Sequence, residues 1–154
     1  MKTNKISTKT PVLTATEVAK RYGFNEHYKF VEFIWEFSEL NKDLLEADWL
    51  QLDHRKYLPH QIEIIERHFG KPKHKSIGAT ELAKIYGYSR YSYFKSKVLD
   101  DKYGQKLLNE LFKYNWDESY RKIIPIWIDI FVKYLGEAPG LNKYLIDNPE
   151  KPQT

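Results

Sequence analysis

The chain repeats itself. Residues 15–24 read ATEVAKRYGF and residues 79–88 read ATELAKIYGY, with seven of the ten positions identical. Residues 55–70 (RKYLPHQIEIIERHFG) and 121–136 (RKIIPIWIDIFVKYLG) share six of sixteen, with Leu/Ile, Glu/Asp, Arg/Lys and Phe/Leu pairs between them. The offset grows from 64 to 66, and the middles KDLLEADWL and QKLLNELFK align loosely. Two matches in the same order predict a tandem duplication. The expected units are 12–70 and 77–136, each about 60 residues, with a basic linker KPKHKS at 71–76 and a tail at 137–154. A unit that short is marginal alone. The halves are therefore expected to pack on each other as one pseudo-two-fold body.

Composition narrows the class. At 154 residues, 42% hydrophobic and 30% charged, the chain has the material for an ordinary core rather than a disordered segment. No apolar run approaches the roughly 18 residues that span a bilayer, and the polar first eleven residues predict no signal peptide. No cysteine is present, so there is no disulfide frame, thiolate metal site or cysteine nucleophile. A cytoplasmic, helix-rich protein without a membrane partner is expected.

Each unit opens with helix punctuation. Thr14 and Glu17 have capping-box spacing, and Gly78 with Glu81 keeps the acid behind a glycine N-cap. Gly23 and Gly87 end these helices as left-handed C-caps. Asn25 and Ser89 are expected to cap the next helix, and Ala19 and Ala83 let the two helices approach closely. Third helices are expected over 39–52 and 105–116. Pro59 and Pro125 open the closing helices as first-turn prolines, and Gly70 and Gly136 end them. The fold class predicted is all-α, although IPIWIDIF also suits a short buried strand.

Helix, glycine turn and second helix with a small alanine between resemble the openings of excisionase-like and MerR-like DNA-binding domains. The pattern P-x-x-I-x-I-x(5)-G followed closely by Pro, present at 59–70 and 125–136, resembles the end of a small domain of unknown function from gut Bacteroidetes and their mobile elements. These resemblances imply tandem helix-turn-helix units and a phage or mobile-element context, with no activity attached.

The copies differ in charge. Residues 71–97 hold seven Lys/Arg and one acid, Glu81, a local +6. On the second helix of that unit, Tyr91, Phe94 and Val98 form the apolar side. The far side carries Ser89, Ser92, Tyr93 and Ser96 between Arg90, Lys95 and Lys97. Hydroxyls between cations suit a DNA groove, with base edges or phosphates for the former and phosphates for the latter. The expected DNA-binding set is Lys71, Lys73, Lys75, Lys84, Ser89, Arg90, Ser92, Tyr93, Lys95, Ser96 and Lys97. Lys2, Lys5 and Lys9 are expected to trail along a backbone. Residues 26–66, by contrast, hold ten acids and four bases, a local −6. Phe30, Phe33, Ile34 and Phe37 are expected inside, and Tyr28, Glu32, Trp35 and Glu36 outside, as a protein-binding face. Tyr91, Tyr93 and Tyr103 are the aromatics most open to base stacking. The stretch 123–135 is apolar on nearly all sides, which predicts central burial or a homo-oligomer interface.

The five histidines, His27, His54, His60, His68 and His74, lack zinc-ligand spacing. Walker A, G-x-S-x-G and dinucleotide fingerprints are absent. No catalytic residue, cofactor or metal is expected. The leading reading is a DNA-binding regulatory or accessory protein, its second unit on double-stranded DNA. The alternative is a structural or adaptor protein, such as a virion component or an inhibitor of a host complex, acting through the acidic aromatic face.

Overall fold

The computed structural model describes residues 11–102, 104–117, 119 and 121–146. Two compact units divide the chain, Met1–Lys71 and Pro72–Thr154. Unit 1 runs β1 (Leu13–Thr14), α1 (Ala15–Arg21), α2 (His27–Trp35), α3 (Ser38–Glu46), a 3-10 turn (Gln51–Asp53), β2 (Lys56–Tyr57) and α4 (Pro59–Phe69). Unit 2 runs β3 (Ile77–Gly78), α5 (Ala79–Ile85), α6 (Tyr91–Phe94) continued by a π-helical stretch (Lys95–Lys102), α7 (Gly104–Lys113), β4 (Lys122–Ile123), α8 (Pro125–Leu135) and a 3-10 segment (Pro139–Tyr144).

The local punctuation works as its chemistry dictates. Thr14 Oγ1 accepts from the Glu17 N–H at 3.1 Å, and Glu17 Oε1 accepts from the Thr14 N–H at 2.8 Å. Two orphan donors at the start of α1 are satisfied in this way. Gly78 has no such side-chain bond at the start of α5. Gly23 and Gly87 adopt φ 96° and 92°. The N–H of the following residue then reaches back to the carbonyl of Ala19 or Ala83, each at 2.9 Å. This six-to-one bond is the signature of a Schellman ending. Ala19 and Ala83 are completely buried, where α1 packs on α2 and α5 on α6.

In unit 1 the fully buried side chains include Phe30, Ile34, Leu40, Leu44, Tyr57 and Ile65. Tyr22 stacks on Phe30 at 5.4 Å, and its hydroxyl donates to the Gly70 carbonyl at 2.9 Å. In unit 2 the core gathers Leu82, Phe94, Leu107, Leu111 and Phe131, with Phe94 and Phe131 rings 5.4 Å apart. Tyr86 repeats the tie, donating to the Gly136 carbonyl at 2.8 Å. Burial, and then Glu137, push its phenol up to about 12. Each large apolar side chain withdrawn from water contributes about 1.5–3 kcal/mol.

Four local expectations need correction. Short antiparallel strand pairs accompany the helices: Leu13 pairs with Tyr57 and Thr14 with Lys56, while Ile77 pairs with Ile123 and Gly78 with Lys122. The strand alternative for IPIWIDIF falls away and its helical reading stands: Ile124 is the N-cap and the rest is helix, within α8. Asn25 and Ser89 cap nothing, because α2 and α6 begin after Glu26 and Arg90, neither with a side-chain cap bond. The third helices end early, at Glu46 and Lys113 rather than 52 and 116, where Asp48 (φ 65°) and Asn115 (φ 62°) turn left-handed. Trp49 and Trp116 N–H groups then bond back to Leu44 and Leu111 at 3.0 and 3.2 Å. Asp and Asn tolerate this conformation better than other non-glycine residues.

The fourth correction concerns the segment 71–76. Lys75 N–H donates to the Tyr144 carbonyl at 2.7 Å, and the Lys73 carbonyl accepts from Ile146 N–H at 2.9 Å. The expected linker is thus paired along the C-terminal segment, whose Leu141 is buried. Residues 147–154, the remainder of the tail, lie outside the described residues.

Candidate nucleic-acid interface

The second helix of unit 2 is short because its winding changes. Only Tyr91–Phe94 is α-helical, and Lys95–Lys102 continues in π geometry. Val98 and Leu99 are both buried in this stretch. Tyr91 is half-buried and stacks on Phe94 at 6.2 Å.

Ser89, Arg90, Ser92, Tyr93, Ser96 and Lys97 are all exposed on this segment, and Lys95 is half-buried. The Arg90 guanidinium lies over the Tyr93 ring, 5.5 Å from its centroid. The Lys95 ammonium lies 5.2 Å from the Tyr91 ring. Lys84 is exposed in the last turn of α5, and Lys73 and Lys75 are exposed on either side of the buried His74. Lys71 is also exposed but belongs to unit 1. Lys2, Lys5, Lys9 and Tyr103 lie outside the described residues. Sequence reasoning missed Lys143. Its ammonium sits 3.5 Å from Glu81, the one acid of the 71–97 stretch. The 3-10 segment that carries it packs on α5, a long-range placement without a local pattern.

In unit 1, Tyr28, Glu32, Trp35 and Glu36 are exposed along and just beyond α2. A hydrogen bond to Glu26, reinforced by its charge, raises the Tyr28 phenol above its usual range. Trp35 Nε1–H donates to Gln51 Oε1 at 3.0 Å. Leu50 and Leu52, 61% and 53% exposed, flank Gln51. A helix over 39–52 concealed them, because the left-handed residue at Asp48 is what frees this turn.

The turn is held from below by a buried polar cluster. His54 Nδ1 accepts from the Leu50 N–H at 3.1 Å, so its proton sits on Nε2 and goes to Gln61 Oε1 at 3.0 Å. Gln61 also accepts from the Leu58 N–H at 2.9 Å and donates to the Ala47 carbonyl at 2.8 Å. Tyr57 receives the Trp49 indole N–H at 2.9 Å and meets His27 Nε2 at 2.8 Å. Burial lowers the pKa of both rings; the neighbouring His54 adds to it for His27, while hydrogen bonds oppose it for His54. Burial also drives the Tyr57 phenol well above its usual value.

Among the described residues, no three His, Asp or Glu side chains come together as metal ligands. No described helix is long and apolar enough to cross a membrane. Compared with protein-family models, curated proteins and solved structures, the chain matches none.

Proposed function

We propose that this is a DNA-binding accessory or regulatory protein built by tandem duplication, in which unit 2 meets duplex DNA and unit 1 supports it. Duplication accounts for the shared element order, the equivalent strand pairs and the repeated tyrosine-to-glycine ties. The observation that carries the DNA reading is the exposure in one unit of Lys73, Lys75, Lys84, Arg90 and Lys97 with exposed Ser89, Ser92, Tyr93 and Ser96. Cations neutralise phosphates and release counterions, and the hydroxyls and Tyr93 bond to phosphates or base edges. The expected acidic side chains of unit 1 repel the same backbone.

A labelled random duplex titrated across a salt series tests the reading. If all five cations engage phosphates, log K falls against log salt with a slope of about −4.5, and Arg90→Glu with Lys97→Glu reduces that slope by about 1.8 or abolishes binding. An absence of binding at low salt refutes it. The exposed Trp35, Leu50 and Leu52 favour a second reading, an adaptor or structural role through protein contacts. On that reading the same two substitutions are silent, while Trp35→Ala with Glu32→Lys and Glu36→Lys disrupts a complex.

A further inference from the structure

We propose that the acidic apolar face of unit 1 binds the basic aromatic face of unit 2 in a second copy of the chain, head to tail. The proposal does not rest on DNA binding. It starts from an apolar surface that is displayed at some cost. Trp35 is 43% exposed, with Leu50 and Leu52 on the adjoining turn more exposed still. Gln51, between the two leucines, holds φ 57°, a left-handed conformation that a glutamine adopts only when its surroundings enforce it. Three contacts enforce it: the Trp35 indole bond to Gln51, the Leu50 N–H bond to His54, and the packing of α2 on the turn. The surface is therefore held ready before any partner arrives, which lowers the ordering cost of binding.

Charge selects the partner. Residues 26–53 carry eight acids and two bases, a net −6, and Glu32, Glu36, Asp48 and Asp53 are all exposed. The region's own cations, Lys29 and Lys42, are exposed, as are Arg55 and Lys56 just beyond it, too few to reverse the sign. The chain carries a surface of opposite sign in unit 2: Arg90 stacked on a 52% exposed Tyr93, with Lys97 exposed beside them. Arginine and tyrosine are typical interface anchors, as is tryptophan. Opposed charge steers such surfaces together and suppresses pairing of like with like. Because the two faces differ, the contact is heterologous. Such contacts join copies into closed rings or open chains.

The test is sedimentation velocity over a concentration series without nucleic acid, alongside acrylamide quenching of tryptophan fluorescence. Trp49, Trp116 and Trp127 are buried, so quenching reports chiefly on Trp35. The expected result is a mean mass that rises with concentration while Trp35 becomes shielded, both reversed as salt shortens the screening length from about 30 Å to about 3 Å. Trp35→Ala/Glu32→Lys/Glu36→Lys and Arg90→Glu/Lys97→Glu should each weaken association about tenfold or more. Mixed together, the two variants should form one-to-one pairs that do not grow, since each retains only one working face. A mass that stays at one chain overturns the proposal, as does growth that the substitutions leave unchanged, or pairs formed by either variant alone. Duplex added to the wild type separates the two readings. Dispersal of the assembly supports both, whereas assembly that persists with no DNA bound refutes the DNA reading alone.

Discussion

Gln61 and Trp127 stand at the same place in their units, each the third residue of the closing helix. Each donates a side-chain N–H to the carbonyl that ends the third helix: Gln61 to Ala47 at 2.8 Å, Trp127 to Tyr114 at 2.9 Å. The surroundings are chemically opposite. Gln61 belongs to a buried relay with His54, and Tyr57 beside it joins Trp49 to His27. Trp127 instead meets Trp116 edge-on at 5.1 Å, and Trp116 in turn meets Phe131 at 5.7 Å. One joint, then, is made by oriented hydrogen bonds and the other by aromatic bulk. Hydrogen bonds contribute only about 1 kcal/mol each when made but cost more when half-broken. Apolar burial is larger and indifferent to protonation. The polar joint constrains orientation and responds to acid; the apolar joint does neither.

The largest expected effect is on the aromatic joint. Trp127→Ala should cost about 3–5 kcal/mol through the cavity it leaves, while Gln61→Leu should cost about 1–3 kcal/mol by stranding the Ala47 carbonyl and the Leu58 N–H. Urea unfolding measures both, and amide exchange should place each loss in its own unit. Equal costs would erase the contrast. Acid should sharpen it. Both His27 and His54 have lowered pKa values in the folded chain, so the unfolded chain binds protons first. Their contribution is complete above about 6.5, the unfolded value, and is lost as pH falls below it. Thermal melts with amide exchange at neutral and mildly acidic pH should show unit 1 loosening before unit 2. The smallest effects are at the caps. Thr14→Ala should cost about 1 kcal/mol, and Gly78→Ser should gain a few tenths of that. At Gly78, φ is −61° and nothing lies within 4 Å of an added Cβ. Thermal denaturation reads both changes.

What was legible in the sequence was what depends on neighbouring residues. The Thr14 box, the glycine endings at Gly23 and Gly87, and the proline starts at Pro59 and Pro125 are each written within a few positions. The two-residue strands were not legible, because Leu13 and Ile77 find partners far along the chain and no period of two can show over two residues. The endings at Asp48 and Asn115 are illegible for another reason: glycine is the residue that announces a left-handed turn, and these positions carry Asp and Asn instead. The turn that follows Asp48 is what exposes Leu50 and Leu52. On the basic side, the residue types around Arg90 are readable, but the switch from α to π winding at Lys95 has no signature in the residues that make it. The histidine relay joins residues of α2, β2 and α4, and no spacing along the chain announces it.

The tyrosine ties also bear on synthesis. Tyr22 and the Gly70 carbonyl it bonds are 48 residues apart, and β1 has no strand partner until Lys56 and Tyr57 are made. At about 5–20 residues per second on the ribosome, the opening helix is complete roughly 2 to 10 seconds before its last tie can form. Through that interval Ala15, Val18 and Ala19, buried in the finished unit, have no closing helix near them. A nascent chain of this protein thus waits open at its start until the end of each unit arrives.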